Sequence, residues 1–389
     1  MTPPLPLTLR VVDRIADVPA ASWDALLGPD DGPFVRHAWL ATLEEAGCIK
    51  PKLGWRASHL TLWRGESLVA AAPAYLKGNS EGEFVFDHGW ARAASQAGIK
   101  YYPKLIVAVP FPPATGARLL APAGPERDAL RTALAAAARK VAEELDLSGA
   151  HVLFARPDEL GPLEAAGLAV RYGMQFHWTN RGYGSYDDFL ATFNAKRRHQ
   201  LKRERREALG SGLRYETMRG PGVTPAARAA MLRFYHNTAD RYYPWTRRYL
   251  TDRFFELVYD RLPDSVEVVL ASEGDRPIAG AFNVAGSGRL FGRYWGADEA
   301  RPFLHFHVCY YHSIEDCIAR GIAVFEPGAG GEHKLPRGFE PTLTYSAHAL
   351  SDPRLDDAVR RHLAAERRAV EASVANGGDG AECRPGGGR

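Results

Sequence analysis

Residues 290–341 read LFGRYWGADEARPFLHFHVCYYHSIEDCIARGIAVFEPGAGGEHKLPRGFEP, and the order of elements in this stretch decides the fold. Leu290–Trp295 is a run of bulky residues that reads as a strand and stops at Gly296. From Phe303 to Arg320 the apolar residues Phe303, Phe306, Tyr310, Ile314, Cys317 and Ile318 step by three or four, the spacing of one helix face. Pro302 suits the first turn of that helix and Gly321 its stop. Ala323–Glu326 is a short strand that runs into a glycine-rich loop and then into GEHKLPRG, Gly331–Gly338, the densest polar cluster in the chain.

Upstream, Leu213–Thr217 alternates as a strand, Ala226–Asp240 and Arg248–Arg261 carry helical spacing, and Val266–Ala271 and Ile278–Ala285 are strands ended by the turns SEGDR and GSG. The order is β-α-α-β-β-β-α-β, with a further strand at Thr342–His348. The first half repeats this order without repeating its residues. Leu7–Val12 is a strand, helical pieces follow near Trp23–Leu27 and Arg36–Gly47, and His59–Trp63 pairs with Ser67–Tyr75. After a long irregular segment, Phe84–Pro110, come helix Glu126–Leu145, strand His151–Phe154, helix Glu159–Ala166 and strand Ala169–His177. Two copies of one α/β unit are expected, at 1–182 and 211–350. A basic helical connector at 183–210 joins them, and a helix at 351–374 and a disordered glycine-rich tail at 375–389 follow.

Of the 389 residues, 24% are charged and 46% hydrophobic, as in an ordinary soluble globular protein. Lys plus Arg is 49 against 46 Asp plus Glu, a net charge of +3, which excludes a protein built mainly to coat nucleic acid but not a local basic patch. The cysteines Cys48, Cys309, Cys317 and Cys383 lie far apart without C-x-x-C, so neither a disulfide framework nor a cysteine zinc site is expected. H-E-x-x-H is absent, and no metal is expected. No secretory signal opens the chain, and no stretch approaches the roughly 20 apolar residues that span a bilayer. A cytoplasmic protein is expected, with room for peripheral contact at the inner face of the membrane through the basic run 196–206.

The element order, together with NAKRRHQLKRERREALGSGLRYE (194–216), GEFVFDHGWARAASQAGIKYYPKLIVAVPFPPATGARLL (82–120) and GEHKLPRGFEPTLTYSAH (331–348), resembles the FemAB-like branch of the GNAT acyltransferase superfamily. Within it, the blocks are similar to a bacterial subfamily named for peptidoglycan biosynthesis or recognition. The resemblance implies tandem GNAT-like domains with mixed central sheets flanked by helices. It also implies transfer of an acyl group from an activated donor to an amine. GNAT relatives use acyl-CoA and FemAB relatives use aminoacyl-tRNA, and the resemblance extends to bacterial enzymes that N-acylate long-chain sphingoid bases. The expected activity is N-acylation from acyl-CoA or acyl carrier protein as co-substrate, with no cofactor bound and a small or lipid-like amine as acceptor. The alternatives are an aminoacyl-tRNA-dependent transferase acting on a peptidoglycan precursor or peptide, and a non-catalytic GNAT-fold scaffold.

The resemblance places the donor where Leu290–Trp295 parts from Ala323–Glu326, because a splayed strand pair leaves backbone groups that a pantetheine chain can join like an added strand. Arg293 and Gly296 match the R/Q-x-x-G-x-G/A signature there, but Asp298 stands at its sixth position and would repel a pyrophosphate. The start of the following helix offers N–H groups to such an anion. Glu332 or His333 is the candidate base for the attacking amine, with Glu326 as rival. Lys334 or Arg337 is the candidate for the oxyanion, and Arg337 and His305 are further donor-binding candidates. Asp87, Trp90, Tyr102 and Lys104 crowd the irregular segment of the first copy and are acceptor-binding candidates, as is His177. The strings His236–Asp240 and His312–Asp316 lie on helices, where i and i+4 are merely neighbours, and are read as structural. Lys196, Arg197, Arg198, Lys202, Arg203, Arg205 and Arg206 suit a phosphate-rich partner such as carrier protein, tRNA or anionic lipid.

Overall fold

The computed structural model describes residues 6–243 and 247–377, except for the side chain of Glu332. The expected tail lies outside the described residues from 378 onward. Two compact units make up the chain, Met1–Gln175 with Thr342–Arg389, and Phe176–Pro341.

In chain order the elements are β1 (Leu7–Val12), α1 (Ala20–Asp24), α2 (His37–Glu45), β2 (Trp55–Ala57), β3 (His59–Arg64), β4 (Ser67–Ala72), β5 (Ala74–Lys77), α3 (His88–Gln96), β6 (Lys104–Val107), α4 (Arg127–Glu144), β7 (Gly149–Ala155), α5 (Leu160–Ala165) and β8 (Ala169–Thr179). There follow α6 (Tyr186–Ala191), α7 (Ala195–Leu209), β9 (Arg214–Arg219), α8 (Pro225–Arg241), α9 (Asp252–Arg261), β10 (Val266–Glu273), β11 (Arg276–Gly286), β12 (Arg289–Ala297), α10 (Leu304–Phe306), a π-helical turn (His307–Tyr311), α11 (His312–Arg320) and β13 (Val324–Glu326). The chain ends with β14 (Glu340–Leu350) and α12 (Pro353–Ala375).

The first unit holds a small sheet, β1-β3-β4, and the run β2-β5-β6-β7-β14. Strands β6 and β7 are parallel, joined by a crossover through α4. One face of this run buries Leu105, Val107, Ala150 and Val152 against Leu134 and Val141 of α4 and Leu163 of α5. The unit boundaries correct the expected ones. The first unit closes at Gln175 and takes back everything from Thr342, because β14 pairs with β7 from Tyr345↔Ala155 to Leu350↔Gly149. A strand belongs where its backbone partners are.

The second unit has the expected order, β9-α8-α9-β10-β11-β12-helix-β13, with strands arranged β8-β13-β12-β11-β10-β9. Two local readings change. The basic helix is two helices, because Asn194 accepts from Arg197 N at 2.9 Å and caps a fresh start. The long helix starts at Leu304, since Phe303 sits in the left-handed region at φ 56°. Its π turn adds a residue to one turn and buries Tyr310 and Tyr311 side by side. The segment read as irregular contains α3. No helix among the described residues is long and apolar enough to cross a membrane.

Two features of β12 set up the site. Its parallel pairing with β13 covers only Arg289↔Val324, Leu290↔Phe325 and Phe291↔Glu326. β13 ends at Glu326, and β12 runs on to Ala297 paired with β11. In that stretch Phe282 pairs with Tyr294 but Asn283 with Gly292, so Arg293 is the extra residue of a β-bulge.

Candidate functional site

The parting of β12 from β13 gathers charged side chains from three strands. Glu326 ends β13 almost fully buried and accepts from Arg289 at 2.6 Å. Its other oxygen lies 3.8 Å from His177 Nε2 on β8, because β13 pairs there through Phe325↔Trp178. Burial holds His177 below the usual histidine range against the pull of Glu326. The bulged Arg293 donates to the carbonyl of Glu326 at 3.2 Å, and burial lowers its guanidinium to about 10. His177 and Glu326, assigned to separate roles by sequence, thus stand together.

The glycine-rich loop closes over this point. Lys334 is 2% exposed, and its ammonium donates to the carbonyl oxygens of Gly328 at 2.6 Å and Ala329 at 3.4 Å. Two of its three N–H bonds are spent, and one is left for another acceptor. Burial, reinforced by the Arg293 charge, brings Lys334 down to about 7. His333 is exposed, and its Nε2 lies 2.9 Å from Tyr310 Oη. Burial and the charges of Lys334 and Arg337 lower its pKa, which widens the range in which it is neutral and can take a proton. His305 stacks 4.4 Å from Trp295 and 6.1 Å from His333, and burial lowers it to about 4. Arg293, Glu326, His177, His305, His333 and Lys334 therefore all lie in the second unit, around its candidate site. Glu332 opens the short 3-10 helix at the loop. Its side chain lies outside what is described.

Arg337 corrects an expectation. It is not poised for an oxyanion or a donor but anchors the loop, donating to Tyr311 Oη at 2.9 Å, His333 O at 2.7 Å and Glu204 Oε2 at 2.8 Å, with Phe306 stacked 3.4 Å away. Gly296 is likewise explained by packing, since a Cβ there would sit 1.9 Å from the Phe234 carbonyl oxygen of α8. A Gly296→Ala variant is expected to lose at least about 1–3 kcal/mol of stability from overpacking, read as a lower midpoint in thermal unfolding. The carboxylate of Asp298, expected to repel a pyrophosphate, is ion-paired. Arg233 pairs with both of its oxygens at 3.0 Å and Asn237 with one of them, while its N–H is spent on Ile278 O. A cavity of about 550 Å³ lies at this end of β12, bordered by Trp295, His305, Leu304 and Tyr242.

A family described as peptidoglycan biosynthesis/recognition, FemAB-like, matches residues 14–380. The chain belongs to the FemAB-like family. Among solved structures, FemX shares 13% identity, with a TM-score of 0.52 over 88% of this chain and 98% of that one. The C-terminal domain of a putative lysylphosphatidylglycerol synthetase from Agrobacterium fabrum is 13% identical, with a TM-score of 0.48 over 75% and 84%. A tandem GNAT protein from the clavulanic acid biosynthesis pathway is 12% identical, with a TM-score of 0.43 over 90% and 99%. A search of curated proteins finds no match. The fold is shared with FemX, an α/β arrangement of mixed sheets and helices, and membership of the family supports a transferase.

In this FemAB-like chain the acceptor candidates of the first unit meet one another. Asp87 accepts from Lys104 and, at 2.7 Å, from Tyr101 Oη, and Lys104 also binds Glu83 at 2.8 Å. Asp87 and Lys104 are 4% and 1% exposed, so neither presents its charge to a substrate in this state. Trp90 packs on His348 at 4.8 Å with Arg171 on its ring, and Tyr102 binds Ser80 at 2.8 Å. The histidines of the two strings have partners outside them. His236 binds Asp252 at 2.8 Å, and His312 binds Thr217 at 2.9 Å. On α7, Glu204 and Arg205 turn inward to Arg337 and Glu315, while Lys196, Lys202, Arg203 and Arg206 are exposed. Sequence reading missed Tyr310, hidden in an apolar helical stripe, and Glu204, hidden in a run of cations.

Proposed function

We propose that this transferase N-acylates an amine, taking the acyl group from a thioester of coenzyme A or acyl carrier protein at the parted strands of the second unit. One observation supports it above the others: a desolvated lysine, Lys334, lies with the bulged Arg293 where the pairing of β12 with β13 ends. The acceptor, a small or lipid-like amine such as a sphingoid base, loses a proton to neutral His333, or to Glu332. Its nitrogen then attacks the acyl carbonyl. The oxyanion accepts from the remaining N–H of Lys334, in a site where low water content strengthens that contact. Collapse breaks the C–S bond and the thiol leaves with a proton. Tyr310 orients the His333 ring, and Arg337 holds the loop in place through His333 O.

Family membership and the exposed cations of α7 favour a second reading, transfer from aminoacyl-tRNA to a peptidoglycan precursor or peptide. The same α7 face would serve a carrier protein or an anionic membrane surface. A donor screen separates the readings. Purified protein, an amine panel and either acyl-CoA, acyl carrier protein or aminoacyl-tRNA are combined, with mass spectrometry of the amines. Thioester-dependent acylation that survives RNase is expected. Activity lost on RNase treatment moves the assignment to the second reading, and no modified amine with any donor leaves a binding scaffold.

A further inference from the structure

Outside this site, the first unit carries a row of basic groups across one face of its sheet. Lys77 pairs with Lys104 between β5 and β6, Ile106 with His151 between β6 and β7, and His151 with His348 between β7 and β14. Paired and alternate residues share a face, so Lys77, Lys104, His151 and His348 line up on the side opposite the apolar contact with α4 and α5. The two imidazoles touch, with 2.8 Å between their Nδ1 atoms, and His348 Nε2 binds Ser346 Oγ at 2.8 Å. All four groups are buried.

The carboxylates that meet the row come from one stretch of chain, 79–90, while Trp55, Tyr101 and Tyr102 add ring faces. Ser80 and Glu83 bind Lys104 at 2.9 and 2.8 Å, Asp87 joins them, and Trp90 closes on His348. The cover compensates the row incompletely. Among the described residues Lys77 meets no carboxylate oxygen: it donates to Asn79 Oδ1 at 3.1 Å and Glu81 O at 2.9 Å and lies 3.7 Å from the Trp55 ring. Among the described residues, Glu83 Oε1, Asp87 Oδ1 and His151 Nε2 are buried without a hydrogen-bond partner. Burial pushes Lys77 down to about 7 and Glu83 up to about 7. Buried charges left without full compensation are costly, and an apolar sheet face would be cheaper to cover.

We propose that Lys77, Lys104, His151 and His348 form a binding site for a phosphoryl-bearing ligand, and that residues 79–88 close it in this state by placing Glu83 and Asp87 where the ligand's charges would sit. Opening the cover exposes two ammonium groups and two imidazoles within one strand-to-strand row, which suits an anion with several oxygens better than a single carboxylate. The stand-in carboxylates compete with the ligand from within the same chain. Weakening them raises apparent affinity by raising the fraction of protein that is open.

Hydrogen exchange of the whole protein, with and without millimolar inorganic pyrophosphate, tests the proposal. Peptides covering 79–90 are expected to exchange several-fold faster when pyrophosphate is present. By calorimetry, Glu83→Gln is expected to bind pyrophosphate about tenfold more tightly than the parent, and Lys77→Met to lose binding. Should a variant fail to fold, exchange in the parent decides alone. Unchanged exchange over 79–90, or an effect confined to 196–206, overturns the proposal. Citrate run in parallel separates the chemistries, and a response to citrate but not to pyrophosphate overturns the phosphoryl assignment.

Discussion

Replacing Lys334 with methionine is expected to lower kcat about 10²–10³-fold, the usual cost of removing one oxyanion donor, while leaving the KM of the donor nearly unchanged. Methionine keeps the length and apolar stem of the side chain, so the loss reports the ammonium. The Gly328 and Ala329 carbonyls lose their partner, so circular dichroism and the thermal midpoint are read alongside. The pH profile carries a second signature. Lys334 is charged below about 7 and neutral above it, so kcat/KM falls as pH rises through about 7. His333 must be neutral to take a proton and is lowered from its usual range, so its limb lies further to the acid side. Optimal activity is expected on the acid side of neutrality. Lys334→Arg, always charged, is expected to remove the alkaline limb even if its peak activity is lower. A flat profile across roughly pH 6–8, the span around the Lys334 value of about 7, rules out this role for Lys334.

Lys104→Met is expected to destabilise the first unit by about 3–5 kcal/mol, because it leaves Asp87 and Glu83 buried without their cation. For a unit of this size that is a fall of roughly 6–20 °C in the thermal midpoint. Glu83→Gln is expected to cost far less. Burial already holds Glu83 near about 7, so near neutral pH much of its charge is absent in the folded state. Asp87 is the stronger partner. Its burial is overcome by the Lys104 charge and hydrogen bonds, which hold it at about 2. Differential scanning calorimetry of the two variants shows this asymmetry directly, and equal losses would contradict it.

The second unit was legible because each of its elements announces itself locally. The β-α-α-β-β-β-α-β order follows from periodicity and turns alone, and the stretch from Leu290 to Glu326 marks where the strands must part. The bulge at Arg293 was not legible, since a bulge exists only relative to the register of a partner strand. Arg337 was misread for a similar reason. Its anchor, Glu204, is 133 residues away in a run of cations where a single carboxylate looks incidental. Asp87 and Lys104 show the converse. A segment rich in polar and aromatic side chains reads the same whether it opens onto a substrate or folds onto its own sheet. The meeting of His177 with Glu326 depends on β8 pairing with β13. Both residues drew notice, but only the pairing makes them neighbours.

The most direct measurement is photocrosslinking with a donor that carries a photoreactive acyl chain, chosen from the donor screen and mapped by peptide mass spectrometry. Transfer at the parted strands predicts adducts in Gly292–Ala297 and Gly328–Lys334, competed away by the unlabelled donor. Competable adducts confined to the first unit, with both of those segments unlabelled, would contradict it.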